Sequence, residues 1–366
     1  MPYSSFRLPE YPVRMDVWDR LQKEKRPILL YGMGNGADKL LDRFADRGIV
    51  AAGVFASDEF VRGQSYRGFR VMTFSEVRAR FPAFVIVLAF ASDRPEVLSA
   101  LLRIDREYDL LAPDMPVAGG EYFDRAYYNA HYEQICAAYR LFADETSRSA
   151  FAAVCHYRLT GKISFLLSAY SGEEDLYAPF CDVRGFLDVG AYRGDTLRAA
   201  MRYFPRLERV AAIEPDERNF ARLAAVAEQI VSPRVDCFPV AAWSENGEAD
   251  FAVGGNRNSS LFRGSYRHRA RRVRLARLDS LGLFRVDLIK YDVEGAEREA
   301  LIGSEGLIRR DRPGLSVAVY HRSGDLFTVP LWLCEKYEGY RFLLRRALCL
   351  PGWEITLLCI PERKIP

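Results

Sequence analysis

The chain has little lysine, little histidine and no long apolar run, and each shortage narrows what it can be. Only seven of its 52 basic residues are lysine and 45 are arginine; against 49 acids this leaves a net charge of +3. An excess that small gives no electrostatic argument for nucleic acid or a membrane surface, and the arginine bias reads as composition. The longest apolar run, Phe84 to Ala91, suits a buried strand and falls far short of the ~20 residues a membrane span needs. The opening residues, MPYSSFRLPEYPVR, lack the apolar core of a secretory signal, so a cytoplasmic location is the default expectation. The seven cysteines show no CxxC or Cys/His ligand spacing. They indicate neither a zinc site nor a disulfide framework, and are expected to be buried, reduced thiols.

What is present is a chain of 366 residues, long enough for two cores, with two series of alternating strands and helices. The first begins at Pro27–Tyr31 and breaks into Gly32-Met33-Gly34-Asn35-Gly36. A helix with Leu40, Leu41 and Phe44 on one face follows, then strand Ile49–Phe55 ending at Ser57-Asp58. A helix around Val77 and strand Phe84–Ala89 complete the series. From Phe123 to Leu167 the apolar residues recur at helical spacing, which predicts a helical connector. The second series has strands Phe186–Val189, Val210–Ile213, Val235–Phe238, Leu288–Tyr291 and Leu315–Tyr320. Segments Tyr340–Leu344 and Glu354–Ile360 are expected to close it as an antiparallel hairpin. Strands alternating with helices mean βαβ units and largely parallel sheets. The expected fold class is therefore α/β: a C-terminal seven-stranded Rossmann-like sheet (171–366), preceded by a smaller Rossmann-like domain (1–122) and a helical connector (123–170).

The strongest local signal is FLDVGAYRGDT, Phe186–Thr196. Glycine at a strand end lets the backbone turn and a ligand approach. The helix from Thr196, expected to be capped by Asp195, presents free N–H groups and the positive end of its dipole. Asp188 can face a ligand amino group. Glu214, at the next strand end and followed by Pro215 and Asp216, stands where an acid holds both ribose hydroxyls of an adenosine ligand. Two acids and no second glycine pair suit a zwitterionic adenosine cofactor without phosphate, S-adenosylmethionine, better than a dinucleotide. Tyr192 stands where many such turns have a second glycine.

The second constellation is LIKYDVEGAEREAL, Leu288–Leu301. Its strand delivers Asp292 and Glu294 to the ligand-facing edge, while Glu294 and Glu297 also suit the first turn of the next helix. The next strand ends in His321-Arg322-Ser323-Gly324-Asp325. A histidine there, half-ionised near neutral pH, can take a proton from an acceptor hydroxyl, with Asp325 to orient it. Arg263–Arg277 carries seven arginines. It reads as a solvated strand or loop more readily than as a clamp for an anionic acceptor, since the aromatic interleaving of nucleic-acid binders is nearly absent.

At these residues the chain resembles the FkbM family of methyltransferases. The similarity is carried by EDLYAPF (Glu174–Phe180), FLDVGAYRGDT, IEPDERNFARL (Ile213–Leu223), NSSLF (Asn258–Phe262), IKYDVEGAEREALIGS (Ile289–Ser304) and RPGLSVAVYHRSGDLFTVP (Arg312–Pro330). FADETSRSAFAAVCHYRLTGK (Phe142–Lys162) resembles the connector of longer members. The resemblance implies S-adenosylmethionine as methyl donor and O-methylation of a sugar, glycan or natural-product hydroxyl, a sugar nucleotide among the acceptors to weigh. It implies Asp188, Gly190, Ala191, Tyr192, Gly194, Thr196, Glu214, Pro215, Asp216 and Asp292 as cofactor positions, with His321 and Asp292 as candidate catalytic groups. A divalent ion on Asp292 and Glu294 would suit acceptor activation, but nothing in the sequence demands one. The N-terminal unit is similar to small Rossmann-like domains in front of some sugar-modifying transferases. Two alternatives remain open: an NAD-dependent oxidoreductase or epimerase using the N-terminal glycine turn, though a Tyr-x-x-x-Lys pair is lacking, and a non-catalytic nucleotide-binding module. Oligomeric state is not legible.

Overall fold

The computed structural model describes residues 7–252 and 270–362. In the first sheet, β1 (Ile28–Tyr31), β2 (Ala51–Ala56), β3 (Ser65–Tyr66), β4 (Phe69–Thr73), β5 (Val85–Leu88) and β6 (Asp109–Leu111) lie in the order β3-β4-β2-β1-β5-β6. All its pairs are parallel except β3–β4. Its central strands are buried on both faces, as continuous apolar runs such as Ile28–Tyr31 require. The glycine turn after β1 is filled by the protein itself. A Cβ on Gly32 would lie 2.6 Å from the Phe90 ring, and one on Gly36 would strike the Ala89 carbonyl oxygen. These glycines therefore have a packing reason that needs no nucleotide.

The connector folds as helices Arg125–Ala130, Tyr132–Leu141, Glu145–Thr160 and Ser164–Leu167. Glu145–Thr160 is buried nearly all round, including the run Ala150–Cys155, and a helix without a polar face belongs inside a molecule. Around it one apolar cluster runs from Leu29 and Ile86 in the first sheet, through Phe142 and Phe151, to Leu187, Ile289 and Leu315 in the second. The two sheets thus share a core.

The second sheet contains β7 (Gly185–Val189), β8 (Arg209–Ile213), β9 (Arg234–Phe238), β13 (Leu288–Tyr291), β14 (Gly314–Ala318), β15 (Tyr340–Arg346) and β16 (Ile355–Pro361). Their order is β15-β16-β14-β13-β7-β8-β9, with only the β16 pairings antiparallel. This is the expected seven-stranded sheet ending in a hairpin. Strand order reverses between β7 and β13, and a crevice at the carboxyl ends of such strands is where open α/β sheets bind ligands.

Three further strands, β10 (Ala241–Ala242), β11 (Gly247–Ala252) and β12 (Ala270–Ala276), form a separate small sheet that sequence reasoning did not resolve. β12 carries the end of the arginine-rich segment, and its exposed Arg272 pairs with Glu248 on β11 at 2.8 Å. Arg272 and Arg274 are exposed there, in line with the solvated strand or loop expected. Arg263, Arg267 and Arg269 lie outside the described residues, as does Asn258–Phe262. The cysteines are all free, but only Cys155, Cys349 and Cys359 are buried, and Cys181 is exposed. No described helix is long and apolar enough to cross a membrane.

Residues 112–123 tie the N-terminal half to the second sheet. The Ala118 amide donates to the His321 carbonyl at 2.9 Å, and Ser323 Oγ donates to the Glu121 carbonyl at 2.6 Å. Arg158, buried in the connector, donates to the Ser323 carbonyl at 3.0 Å and pairs with Asp114 at 3.1 Å. Removing one partner of a buried pair leaves the other charge uncompensated, typically a loss of about 3–5 kcal/mol. We therefore predict that Arg158→Ala lowers unfolding free energy in urea by about that amount, and that Asp114→Asn is also destabilising, because it leaves the buried Arg158 guanidinium without its counter-charge. A loss below about 1 kcal/mol for Arg158→Ala would show that the pair carries no structural weight.

Candidate functional site

A cleft of about 370 Å³ opens at the carboxyl edge of the second sheet, within the range of small-molecule sites. Its floor begins at the β7 turn. Gly190 has φ +91°, and a Cβ there would collide with the Asp292 carbonyl oxygen, so only glycine lets the two strand tips approach. Tyr192 takes a left-handed φ of 49° without being glycine. The helix Asp195–Tyr203 then starts at Gly194, with no side-chain cap. Asp195 is thus its first residue and not its cap, a correction that follows from the left-handed turn just before it. Asp195 and Thr196 line the cleft, and the uncapped first turn opens onto it.

Glu214 ends β8 beside this turn. Its carboxylate accepts the Tyr192 amide at 2.9 Å and the Asp216 amide at 2.8 Å. Burial pushes it up to about 7, while those two amides pull the other way. Asp216 caps the next helix through the amides of Arg218 and Asn219 and does not reach the cleft.

Asp188 and Lys290 face each other in register across β7 and β13. The Lys290 ammonium lies 3.6 Å from Asp188 and 3.5 Å from Asp292. Neither Asp188 oxygen has a hydrogen-bond partner, and burial pushes its carboxyl up to about 6 against the pull of Lys290. Burial disfavours the Lys290 charge, yet Asp188 and then Asp292 hold its pKa above the ordinary value. Lys290 lines the cleft and Asp188 lies behind it.

His321 differs most from expectation. It is fully buried and outside the cleft lining. Its Nδ1 meets Glu297 Oε1 at 2.9 Å, and its Nε2 faces Asp292 at 3.5 Å and Glu294 at 3.6 Å. Burial opposes the charged ring, but Glu297 foremost, then Glu294 and Asp292, push it up to about 10. The three acids around the ring favour its charged form, while Nε2, 3.5 Å and 3.6 Å from two of them, makes no hydrogen bond. Its orienting partner is Glu297, not Asp325, which instead accepts the Arg322 amide at 3.0 Å. Donor atoms of Asp292, Glu297 and His321 lie within 4.8 Å of one another. Direct contact between His321 Nδ1 and Glu297 Oε1 leaves no gap for an ion between those two atoms.

Of the positions read from sequence, Gly190, Tyr192, Thr196, Glu214, Pro215 and Asp292 line the cleft, whereas Asp188, Ala191, Gly194, Asp216 and His321 do not. Ala191 is buried, its amide donated to the Ile213 carbonyl. Sequence reasoning missed Lys290, Asn219, Tyr320 and Glu354, and gave Glu294 no more than a conditional place. Alternation along β13 puts Lys290 and Asp292 on one face, the only available signal for the lysine.

We predict that Gly190→Ala, which needs both a left-handed φ and space taken by the Asp292 carbonyl, destabilises the chain by about 3 kcal/mol or more. Thermal melting with unchanged midpoint would remove the close-approach argument.

Residues 188–342 match the family model of the methyltransferase FkbM domain. No curated protein matches the chain. The solved methyltransferase FkbM of Methylobacillus flagellatus KT is similar in fold, with a TM-score of 0.69 at 19% identity, covering 91% of this chain and 90% of that one. An rRNA methylase of Streptococcus thermophilus aligns with a TM-score of 0.35 at 10% identity, over 52% of this chain and 94% of that one. An O-methyltransferase of Streptomyces achromogenes, solved in complex with SAM, aligns with a TM-score of 0.34 at 12% identity, over 63% and 96%.

Proposed function

We propose, from the match of residues 188–342 to the methyltransferase FkbM domain, that the chain transfers the methyl group of S-adenosylmethionine to an uncharged hydroxyl of a sugar, glycan or natural product by direct displacement. The observation that carries the cofactor part is Glu214: a buried carboxylate at the end of β8, anchored by two amides, one of them from the β7 turn, and lining the cleft. Its remaining lone pairs suit the two ribose hydroxyls of an adenosine ligand. Lys290 and the uncapped helix start offer positive charge to the methionine carboxylate. The sulfonium is already activated, so the protein supplies alignment and removal of the acceptor proton; positioning alone contributes about 7–11 kcal/mol to such steps.

The wall chemistry bears on the acceptor. Glu173, Asp195, Glu214, Asp292, Glu294 and Glu354 line the cleft, against Lys290 as the one cation among the described lining residues. A wall with that balance attracts a sulfonium and repels phosphate, so a neutral hydroxyl compound fits better than a sugar nucleotide. The oxidoreductase alternative loses its support in the self-filled glycine turn after β1.

Calorimetry with S-adenosylhomocysteine tests the cofactor reading. Glu214→Gln should weaken binding about ten- to a hundred-fold, the worth of a charge-assisted hydrogen bond. The pH dependence has a definite sign. Glu214 is protonated below about 7 and ionised above it, and the ionised form accepts both hydroxyls. Wild-type affinity should therefore rise about ten-fold from pH ~6 to pH ~8 and stay nearly level in Glu214→Gln. Absence of binding would sink the reading.

A further inference from the structure

With His321 fully buried outside the cleft lining and enclosed by acids that favour its charged form, the group that accepts the acceptor's proton is to be sought elsewhere on the cleft wall. Asp292 is already committed to cations: Lys290 lies at 3.5 Å and His321 at 3.5 Å, and the Tyr320 hydroxyl also points to it. Glu294, two residues on, lines the same cleft. Its only ion-pair partner among the described residues is His321 Nε2 at 3.6 Å, and its carboxylate accepts no hydrogen bond there. Its backbone is held in the left-handed region at φ 55°, a conformation that is costly for a residue with a side chain. Glu297 enforces it, because Oε1 of that buried acid accepts the amides on both sides of Glu294, from Val293 at 2.9 Å and Gly295 at 3.4 Å. The fold thus spends backbone strain to keep a lightly engaged carboxylate on the wall, beside the β7 turn where the cofactor is placed.

Resting on the methyltransferase reading above, we propose that Glu294 is the catalytic base, taking the acceptor hydroxyl proton as the methyl group is transferred. The acceptor O–H bond breaks toward a Glu294 oxygen, and the freed oxygen pair forms the bond to the methyl carbon. The carbon–sulfur bond breaks with its electron pair retained by sulfur. The sulfonium becomes a neutral thioether as the carboxylate becomes a neutral acid, so one positive and one negative charge vanish together. The surroundings suit that change. Burial pushes the Glu294 carboxyl up to about 8, with His321 opposing and Asp292, Glu297 and Glu354 adding to the rise. The charged and titratable groups that face it are Asp292 and Glu297 from its own turn, His321 and Tyr320 from the end of β14, Glu354 from the loop before β16, and Lys39 from the N-terminal unit.

This assignment makes a measurable difference between donor and product that needs no knowledge of the acceptor. Groups that meet the ribose and the amino-acid end feel the same contacts in both ligands, whereas a base beside the sulfonium feels a positive charge in one and none in the other. Calorimetric titration at pH ~8, repeated in buffers of different protonation enthalpy, counts the protons exchanged. Binding of S-adenosylmethionine should release about half a proton more than binding of S-adenosylhomocysteine. In Glu294→Gln both ligands should still bind and the difference should vanish, while Glu294→Asp should keep part of it. Equal proton counts in the wild type, or a difference that persists in Glu294→Gln, would overturn the assignment. If both ligands bind without that difference, this inference fails alone. If neither binds, the methyltransferase reading fails and takes it along.

Discussion

The contact on which most of the site depends is the hydrogen-bonded ion pair between His321 and Glu297, 2.9 Å long and almost sealed from water. Two buried charges are tolerable only when each is satisfied by its neighbours. Here Glu297 also takes the amides of the β13 turn, and His321 also faces Asp292 and Glu294. One pair therefore fixes the tips of two strands from separate parts of the chain and sets the charge of the wall between them. The His321 carbonyl, by accepting the Ala118 amide, carries the same order into the segment leaving the first sheet.

That arrangement gives the N-terminal half a part in the site without placing a ligand in it. Gly295, with φ +96°, is pressed against Ala118, where a side chain would collide. Arg322 reaches back to the Gly295 carbonyl at 2.8 Å, and Lys39 donates to the carbonyls of Pro116 and Val117. A boundary drawn at residue 122 cuts through these contacts. The segment before it packs against the second sheet as closely as it follows the first.

The sequence made the second sheet legible because its strands are short apolar runs that end in glycine or acid, and that pattern is local. FLDVG and LIKYD each show where a strand stops and which residue it offers. The partners across strands were not legible. That Lys290 stands opposite Asp188 follows from a register between segments about a hundred residues apart, which no window contains. The surroundings of His321 were not legible for the same reason: three acids from a separate turn enclose it. The pairing of β11 with β12 was missed because GEADFA and ARRVRLA lack the apolar content that marks a core strand.

The position of β16 has a consequence for how the chain comes to be made. It is the last strand among the described residues, yet it lies between β15 and β14 and not at an edge. The first sheet is complete with the strand that ends at Leu111, whereas the second keeps a gap between β15 and β14 until β16 is in place. Until then β14 presents an unpaired edge beside the nascent site, the kind of surface that recruits foreign strands. The closing strand acts as a keystone. A chain lacking β16 could form its first sheet and leave its second open between β14 and β15.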